Sequence, residues 1–189
     1  RWLLQAADAR RLSLLHWAHQ WPAAGWVVPL VLAATGAGVA RWIARLVPLS
    51  GGSGVQEVEE RWRSDTLRQP LSLIPAKLVG GLVAIGSGLA LGREGPTVHV
   101  GSVIGVHVGS RARLRRDEQR VLEAAAAGAG LAVAFNAPMG GAAFTFEEVA
   151  RTFRVTLTVV TLTATATAVA ITTGRVPVRN VQRAPDFAA

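Results

Sequence analysis

Gly92-Arg93-Glu94-Gly95-Pro96-Thr97 is a charged hexapeptide between two apolar stretches of this 189-residue chain. A carboxylate beside a guanidinium is costly to place between segments that suit a bilayer, so such residues usually have a function. Pro96 suits the first turn of a helix, which predicts that Glu94 lies at a helix N-terminus, where the dipole favours negative charge. A dissolved anion could occupy the same position. The alternative interpretation is an ordinary loop with a charge at a helix end.

The composition indicates a membrane protein. Half of the residues are hydrophobic, 17% are charged and the mean hydropathy is +0.33, whereas soluble domains have about 25% charged residues. The net charge of +8 would also suit a nucleic-acid partner. However, the basic residues occur in short clusters between apolar blocks, as the positive-inside rule produces, so we expect no nucleic-acid binding.

Metal ions and cofactors are not expected. The chain has no cysteine, which excludes disulfides and thiolate metal sites. The four histidines lack a convincing set of partner ligands. Glycine-rich turns that open helices also occur in soluble phosphate-binding enzymes. No Walker lysine and no complete GxGxxG sequence follow the turns of this chain, so we expect that it is not an enzyme.

The apolar blocks predict an all-α integral membrane protein. Polar connections separate blocks at 21–47, 71–91, 97–109, 121–135, a shorter block that ends at Glu147-Glu148, and 155–174. The first block is long enough to span a bilayer as a helix. The last block alternates with period two, which on its own suggests a strand. Its length favours a helix, in which threonine can bond back to the helix backbone.

Alternate crossing of the membrane sorts the charged residues onto two sides. The side that carries most of the 20 lysines and arginines is predicted to be cytoplasmic. This sorting places Glu147 and Glu148 at the cytoplasmic end and Glu94 nearer the outside. Carboxylates toward opposite faces suggest a proton route.

Glycine and proline break the blocks at 51–54, 92–96 and 136–141. Irregular backbone persists at membrane depth only inside protein, where broken helices line an ion site. The first two breaks both lead into a helix start, as an anion site requires. Ser53 adds a hydroxyl donor at the first break.

At these breaks the sequence resembles the CLC family of voltage-gated chloride channels and chloride/proton exchangers, of bacterial type. Residues 52–59, GSGVQEVE, resemble the family's GSGIPE segment, and residues 92–101, GREGPTVHVG, closely match GREGPTVQIG. Residues 132–141, AVAFNAPMGG, lead to Glu147-Glu148 and match AAAFNAPLAG with its EE run. The segments follow the family's order with similar spacing, so the resemblance implies broken, tilted transmembrane helices.

The resemblance implies which residues contact the anion. Ser53 would coordinate the central chloride through its hydroxyl. The backbone around Gly54 and Gly95, together with Arg93, would line the anion positions. Gln56 replaces the family's usual proline after Gly-Ser-Gly-Ile, which could loosen this helix start while leaving Ser53 intact.

The resemblance also implies a proton pathway. Glu94 would be the gate, which blocks the anion path when ionised and withdraws when protonated. Glu148 would be the internal proton acceptor, and Glu147 its neighbour where protons enter. Anion and carboxylate then compete for the same positive helix ends, which would couple the two fluxes. Glu148 could instead be an ordinary charge at a cytoplasmic helix end.

The resemblance covers nearly the whole chain but only about the first half of the family fold. We therefore expect residues 1–189 to be one of the two inverted repeats, without the second repeat, the family's first helix and much of its second. The chain contains no tyrosine, so the central tyrosine of the family's anion site is absent.

The expected function is chloride/proton antiport. A passive voltage-gated chloride channel and a truncated, non-transporting membrane remnant are the alternatives. The resemblance implies chloride and protons as substrates, a homodimer through segments 138–147 and 155–174, and a location in a bacterial inner membrane.

Overall fold

The computed structural model describes residues 12–13, 16–17, 25–64, 69–89, 91–92 and 94–174, and the extended regular structure within these ranges is all helical. The prediction of an all-α fold is confirmed. From residue 27 onward, the helices are α1 (Val27–Leu46), a 3₁₀ turn (Pro48–Ser50), α2 (Val55–Ser64), α3 (Leu73–Gly86), α4 (Glu94–Arg111), α5 (Arg116–Phe135), α6 (Pro138–Phe144), a π-helical segment (Thr145–Ala150) and α7 (Val155–Thr173).

In the described ranges, α1 and α7 are long and apolar enough to cross a membrane. The helical interpretation of the threonine-rich block is confirmed by α7. The hydroxyls of Thr158 and Thr163 donate to the carbonyl oxygens of Arg154 and Val159, four residues earlier. This back-bonding satisfies the hydroxyls within the helix, so period-two polarity does not require a strand.

Glycines bring α4 and α5 into backbone contact at the centre of the fold. A Cβ atom at Gly101 would lie 2.2 Å from the carbonyl oxygen of Ala126, and one at Gly130 would lie 2.2 Å from that of Thr97. No side chain fits at such distances, so these positions require glycine. The α4–α5 pair packs against α6 and α7 around buried apolar side chains that include Val98, Ala124, Ala127, Phe146 and Leu157.

Helix α2 runs beside α4 in the same direction. At its beginning, Ser53 lies against Gly95 in the first turn of α4. At its end, the carbonyl of Trp62 accepts a hydrogen bond from Arg120, whose guanidinium lies 5.1 Å from the centre of the Trp62 ring. Arg120 belongs to the first turns of α5, which starts where α4 ends. The N-termini of α2 and α4 therefore lie together at one end of the α4–α5 pair.

The bounds of several helices differ from those of the apolar blocks. Helix α3 covers Leu73–Gly86 rather than 71–91, and Pro75 does not interrupt it because a proline in the first turn breaks no intrahelical hydrogen bond. Helix α5 begins at Arg116 rather than 121. Glu118 caps this start by accepting a hydrogen bond from the Arg115 amide at 2.8 Å, so part of the predicted charged connection is helical.

Candidate functional site

The turn at residues 51–54 leads directly into α2. Gly52 and Gly54 have φ angles of 70° and 91°, which glycine adopts without strain. The amide of Val55 donates to Ser53 Oγ at 3.3 Å. Because Oγ acts as the acceptor in this bond, the hydroxyl hydrogen stays available to another partner. Ser53 is exposed, and the first amides of a helix lack intrahelical partners, so this start can bind an anion.

The hexapeptide 92–97 forms the start of α4. The first residue of this helix is Glu94, which confirms the prediction that Glu94 lies at a helix N-terminus. The half-buried carboxylate folds back over Gly92, where a Cβ atom would lie 1.8 Å from Glu94 Oε1. Thr97 Oγ1 donates to the Glu94 carbonyl at 2.8 Å. The gate candidate therefore lies on the positive end of its own helix.

Gly95 joins the two helix starts. A Cβ atom on Gly95 would lie 2.2 Å from the carbonyl oxygen and 3.1 Å from the Cα atom of Ser53. The backbones are thus in direct contact, and Gly95 is buried. Two parallel helix N-termini that meet in this way direct the positive ends of their dipoles to one point, where each helix also carries a carboxylate in its first turn, Glu57 on α2 and Glu94 on α4.

Lys77 adds a full positive charge to this region. Its side chain is 2% exposed, and Nζ donates to the carbonyl oxygens of Gly51 and Gly52 at 3.1 and 2.9 Å. The ammonium group therefore fixes the turn before Ser53. Sequence reasoning did not assign Lys77 to the site, although a lone lysine inside an apolar block was a usable signal.

The structure brings together four of the residues proposed for anion binding and gating: Ser53, Gly54, Glu94 and Gly95. Arg93, the further anion-binding candidate, lies outside the described residues. The combination of two helix starts, a hydroxyl and a nearby ammonium can hold a small anion, and a carboxylate on the same helix end can compete with it.

Glu147 and Glu148 lie on the π-helical segment Thr145–Ala150, and both are exposed. The flanking Phe146 is buried and its ring centroid lies 5.2 Å from that of Phe153. Ala150 lines a cavity together with Trp62 and residues of the first turns of α5. The two glutamates therefore lie toward the opposite end of the α4–α5 pair from Glu94.

The fold and the site together define a class of protein: a helical membrane protein whose broken helices meet with their positive ends at one point. The sequence model of the voltage gated chloride channel family matches residues 31–187. The chain belongs to this family, which confirms the resemblance inferred from its segments, and it is accordingly a membrane protein.

The comparison with solved structures also finds a chloride transport protein. The chain is similar to a slow cyanobacterial Cl⁻/H⁺ antiporter known from X-ray crystallography, with a TM-score of 0.77 and 31% sequence identity. The match covers 89% of this chain and 40% of that protein. The chain thus spans well under half the length of the antiporter that it matches.

Proposed function

We propose that this chain forms the first of two inverted repeats of a chloride transporter, and that the complete protein exchanges chloride for protons. The observation that carries the proposal is the contact between the starts of α2 and α4 at Ser53 and Gly95, beside the Lys77 ammonium. The two helix starts and the ammonium attract negative charge, and an anion that can replace the Glu94 carboxylate there fits the site. A chloride ion would supply that charge.

In the proposed mechanism, chloride binds at the hydroxyl of Ser53, the adjoining amides around Gly54 and Gly95, and Arg93. The Glu94 carboxylate competes with chloride for the same positive helix start. Protonation removes the charge of Glu94, so the side chain leaves and the anion takes its place. Each cycle of this competition moves a proton against an anion.

The proton acceptor on the other side would be Glu148, with Glu147 where protons enter. Their exposure at the opposite end of the α4–α5 pair supports this role, because a proton acceptor must be reachable from water. The proposed substrates are chloride and protons only, without an enzymatic reaction or a cofactor.

We further propose that the protein is a homodimer in a bacterial inner membrane, with segments 138–147 and 155–174 at the subunit contact. The exposed apolar side chains of α7 support both the membrane location and the subunit contact. Val155, Val159 and Ile171 on this helix are all more than half exposed. Apolar side chains in such a row suit lipid or an apolar partner surface.

The test is transport by the complete protein encoded by the gene, reconstituted in liposomes with an outward chloride gradient. Chloride efflux and the opposing proton movement are recorded together. We expect Glu94→Ala to keep chloride efflux and lose proton movement, because no carboxylate is left to carry the proton. Glu148→Gln should also lose proton movement.

Glu59→Ala is the matched control, since it removes an acidic residue that lies on α2 and pairs with Arg63 at 3.8 Å. Proton movement that persists in Glu94→Ala contradicts the gate assignment. Chloride efflux without proton movement in the unmodified protein identifies a passive channel instead. A complete protein that moves neither ion is a non-transporting remnant.

A further inference from the structure

Behind the Ser53 turn lies a buried polar cluster that the proposed transport cycle does not use. It connects α2, the segment before α3, α4 and α5. Glu123 Oε1 accepts hydrogen bonds from Gln69 Nε2 and Ser102 Oγ, both at 2.8 Å. The members of this cluster are each less than 10% exposed, and they are Arg61, Gln69, His99, Ser102 and Glu123.

The hydrogen bond between Arg61 and His99 determines which ring nitrogen carries the proton. Arg61 Nη2 lies 3.2 Å from His99 Nε2. A guanidinium can only donate, so Nε2 must accept and cannot carry a hydrogen. The neutral ring therefore has its hydrogen on Nδ1. A doubly protonated ring would place an N–H group against the guanidinium.

The Nδ1 side of the His99 ring faces the turn that carries Ser53. A Cβ atom on Gly54 would lie 2.8 Å from His99 Nδ1 and 2.5 Å from His99 Cβ. The ring thus fills the place where a side chain at residue 54 would be. His99 is fully buried, and Nδ1 has no hydrogen-bond partner among the described residues. The ring therefore packs directly against the turn, with its Nδ1 edge beside Gly54.

Arg61 is itself held on α2. Its Nε donates to the Glu57 carbonyl at 3.1 Å, and the carboxylates of Glu123, Glu57 and Glu60 attract its charge. The Arg61–His99 bond is thus a second link between α2 and α4, in addition to the contact of Gly95 with Ser53.

We propose that His99 is a positioning residue for anion binding, and that Arg61 acts through it by keeping the ring in its Nδ1–H form. The ring supports the Ser53–Gly54 turn from behind and keeps the hydroxyl and amides at the start of α2 in place. The role of His99 rests on the proposed chloride site.

The test uses the complete protein in detergent, with chloride affinity measured by calorimetry. We expect His99→Leu to weaken binding about tenfold, because it loses the hydrogen bond to Arg61 that holds the ring behind the turn. His99→Gln places an amide oxygen near the Nε2 position, where it can accept from Arg61, and should stay within about threefold of the unmodified protein. Arg61→Leu should weaken chloride binding about as much as His99→Leu. The double variant should lose no more chloride affinity than either single variant, because both changes remove the same hydrogen bond.

Arg63→Leu is the control, because Arg63 lies on the same helix but is exposed; its affinity should be unchanged. Unchanged affinity in folded His99→Leu, or additive losses in the double variant, would overturn the proposal. An unmodified protein that binds no chloride at all overturns the chloride site itself, and the role of His99 with it.

A spectroscopic measurement tests the ring directly, even if the variants at His99 do not fold. In ¹⁵N NMR spectra of the unmodified protein, we expect His99 as the neutral Nδ1–H form, and Arg61→Leu should shift this signal toward the Nε2–H form. An Nε2–H ring in the unmodified protein overturns the proposal.

Discussion

The two ends of the α4–α5 pair differ in how they hold their candidate transport residues. At the end with Ser53 and Glu94, backbone packs directly on backbone through Gly95, and a buried lysine fixes the adjoining turn. At the other end, Glu147 and Glu148 are exposed on a π-helical segment. An anion site needs its donors fixed in space before the ion arrives. A proton acceptor needs access to water, so a looser environment suffices.

Gly95→Ala should have the largest effect of the substitutions that test this difference between the two ends. The new methyl group would overlap the Ser53 carbonyl, 2.2 Å away, and the obstacle is backbone that cannot rotate aside. We expect destabilisation of about 3 kcal/mol and, in the protein that still folds, at least about a hundredfold weaker chloride binding. Unfolding in detergent and calorimetry with chloride measure the two effects.

Gly38→Ala is the matched control for this substitution. A Cβ atom on Gly38 would meet nothing within 4 Å, and alanine is favoured over glycine inside a helix by up to about 1 kcal/mol. Its stability should therefore be equal or slightly higher, and its chloride affinity unchanged. Equal losses at Gly95 and Gly38 would show that the close contact with Ser53 has no special role.

Removal of the Lys77 charge should have the next largest effect. Lys77→Met keeps the length of the side chain but loses the ammonium that contacts Gly51 and Gly52. We expect chloride affinity to fall about tenfold, since a charge near an ion in a partly polar interior contributes on the order of 1 kcal/mol or more. Calorimetry with chloride measures it.

Arg63→Met is the control for charge alone, because Arg63 is an exposed cation on α2. If both substitutions weaken chloride binding equally, the effect comes from the net charge of the protein. The position of Lys77 beside the turn would then be irrelevant.

The sequence predicted the helix starts at the end with Ser53 and Glu94 because their signals are local. Pro96 and the glycines on either side of Glu94 determine the backbone within a few residues. The segments 52–59 and 92–101 also carried the family resemblance. The assignment of Ser53, Glu94 and Gly95 to one site came from this resemblance and stays a prediction.

The cluster behind the turn was not predicted, because its contacts join residues far apart in the chain. Gln69 and Glu123 are 54 residues apart, and Arg61 and His99 are 38 apart. The periodicity of apolar residues along the sequence does not indicate contacts between residues so far apart. Glu123 alone offered a signal, as a carboxylate inside an alanine-rich apolar block is costly without a partner.

This cluster provides a smaller, purely structural test. Ser102→Ala removes the hydrogen bond that Ser102 Oγ donates to Glu123 Oε1 and the one that it accepts from Gln69 Nε2, and it leaves the bond from Gln69 to Glu123. We expect a loss of about 1 kcal/mol in the free energy of unfolding, with chloride affinity unchanged. Ser110→Ala, at an exposed position of the same helix, is the control. A larger change in chloride affinity than in stability would place Ser102 in the anion site instead.

The smallest effect on stability is expected at the open end. Glu147→Gln and Glu148→Gln change exposed side chains, and such substitutions usually alter the free energy of unfolding by less than about 0.5 kcal/mol. The segment is held by its buried neighbours Thr145, Phe146 and Val149, which these variants leave intact. Thermal unfolding of the complete protein in detergent should therefore give the same midpoint for both variants and the unmodified protein.

Because the expected change in stability is small, the transport test can separate a chemical role of Glu148 from a structural one. If Glu148→Gln loses proton movement while its unfolding midpoint stays unchanged, the carboxylate acts through its chemistry, because the fold has not been affected. A midpoint that falls as far as that of Ser102→Ala would instead make Glu148 a structural residue, and the contrast between a fixed anion end and an open proton end would no longer hold.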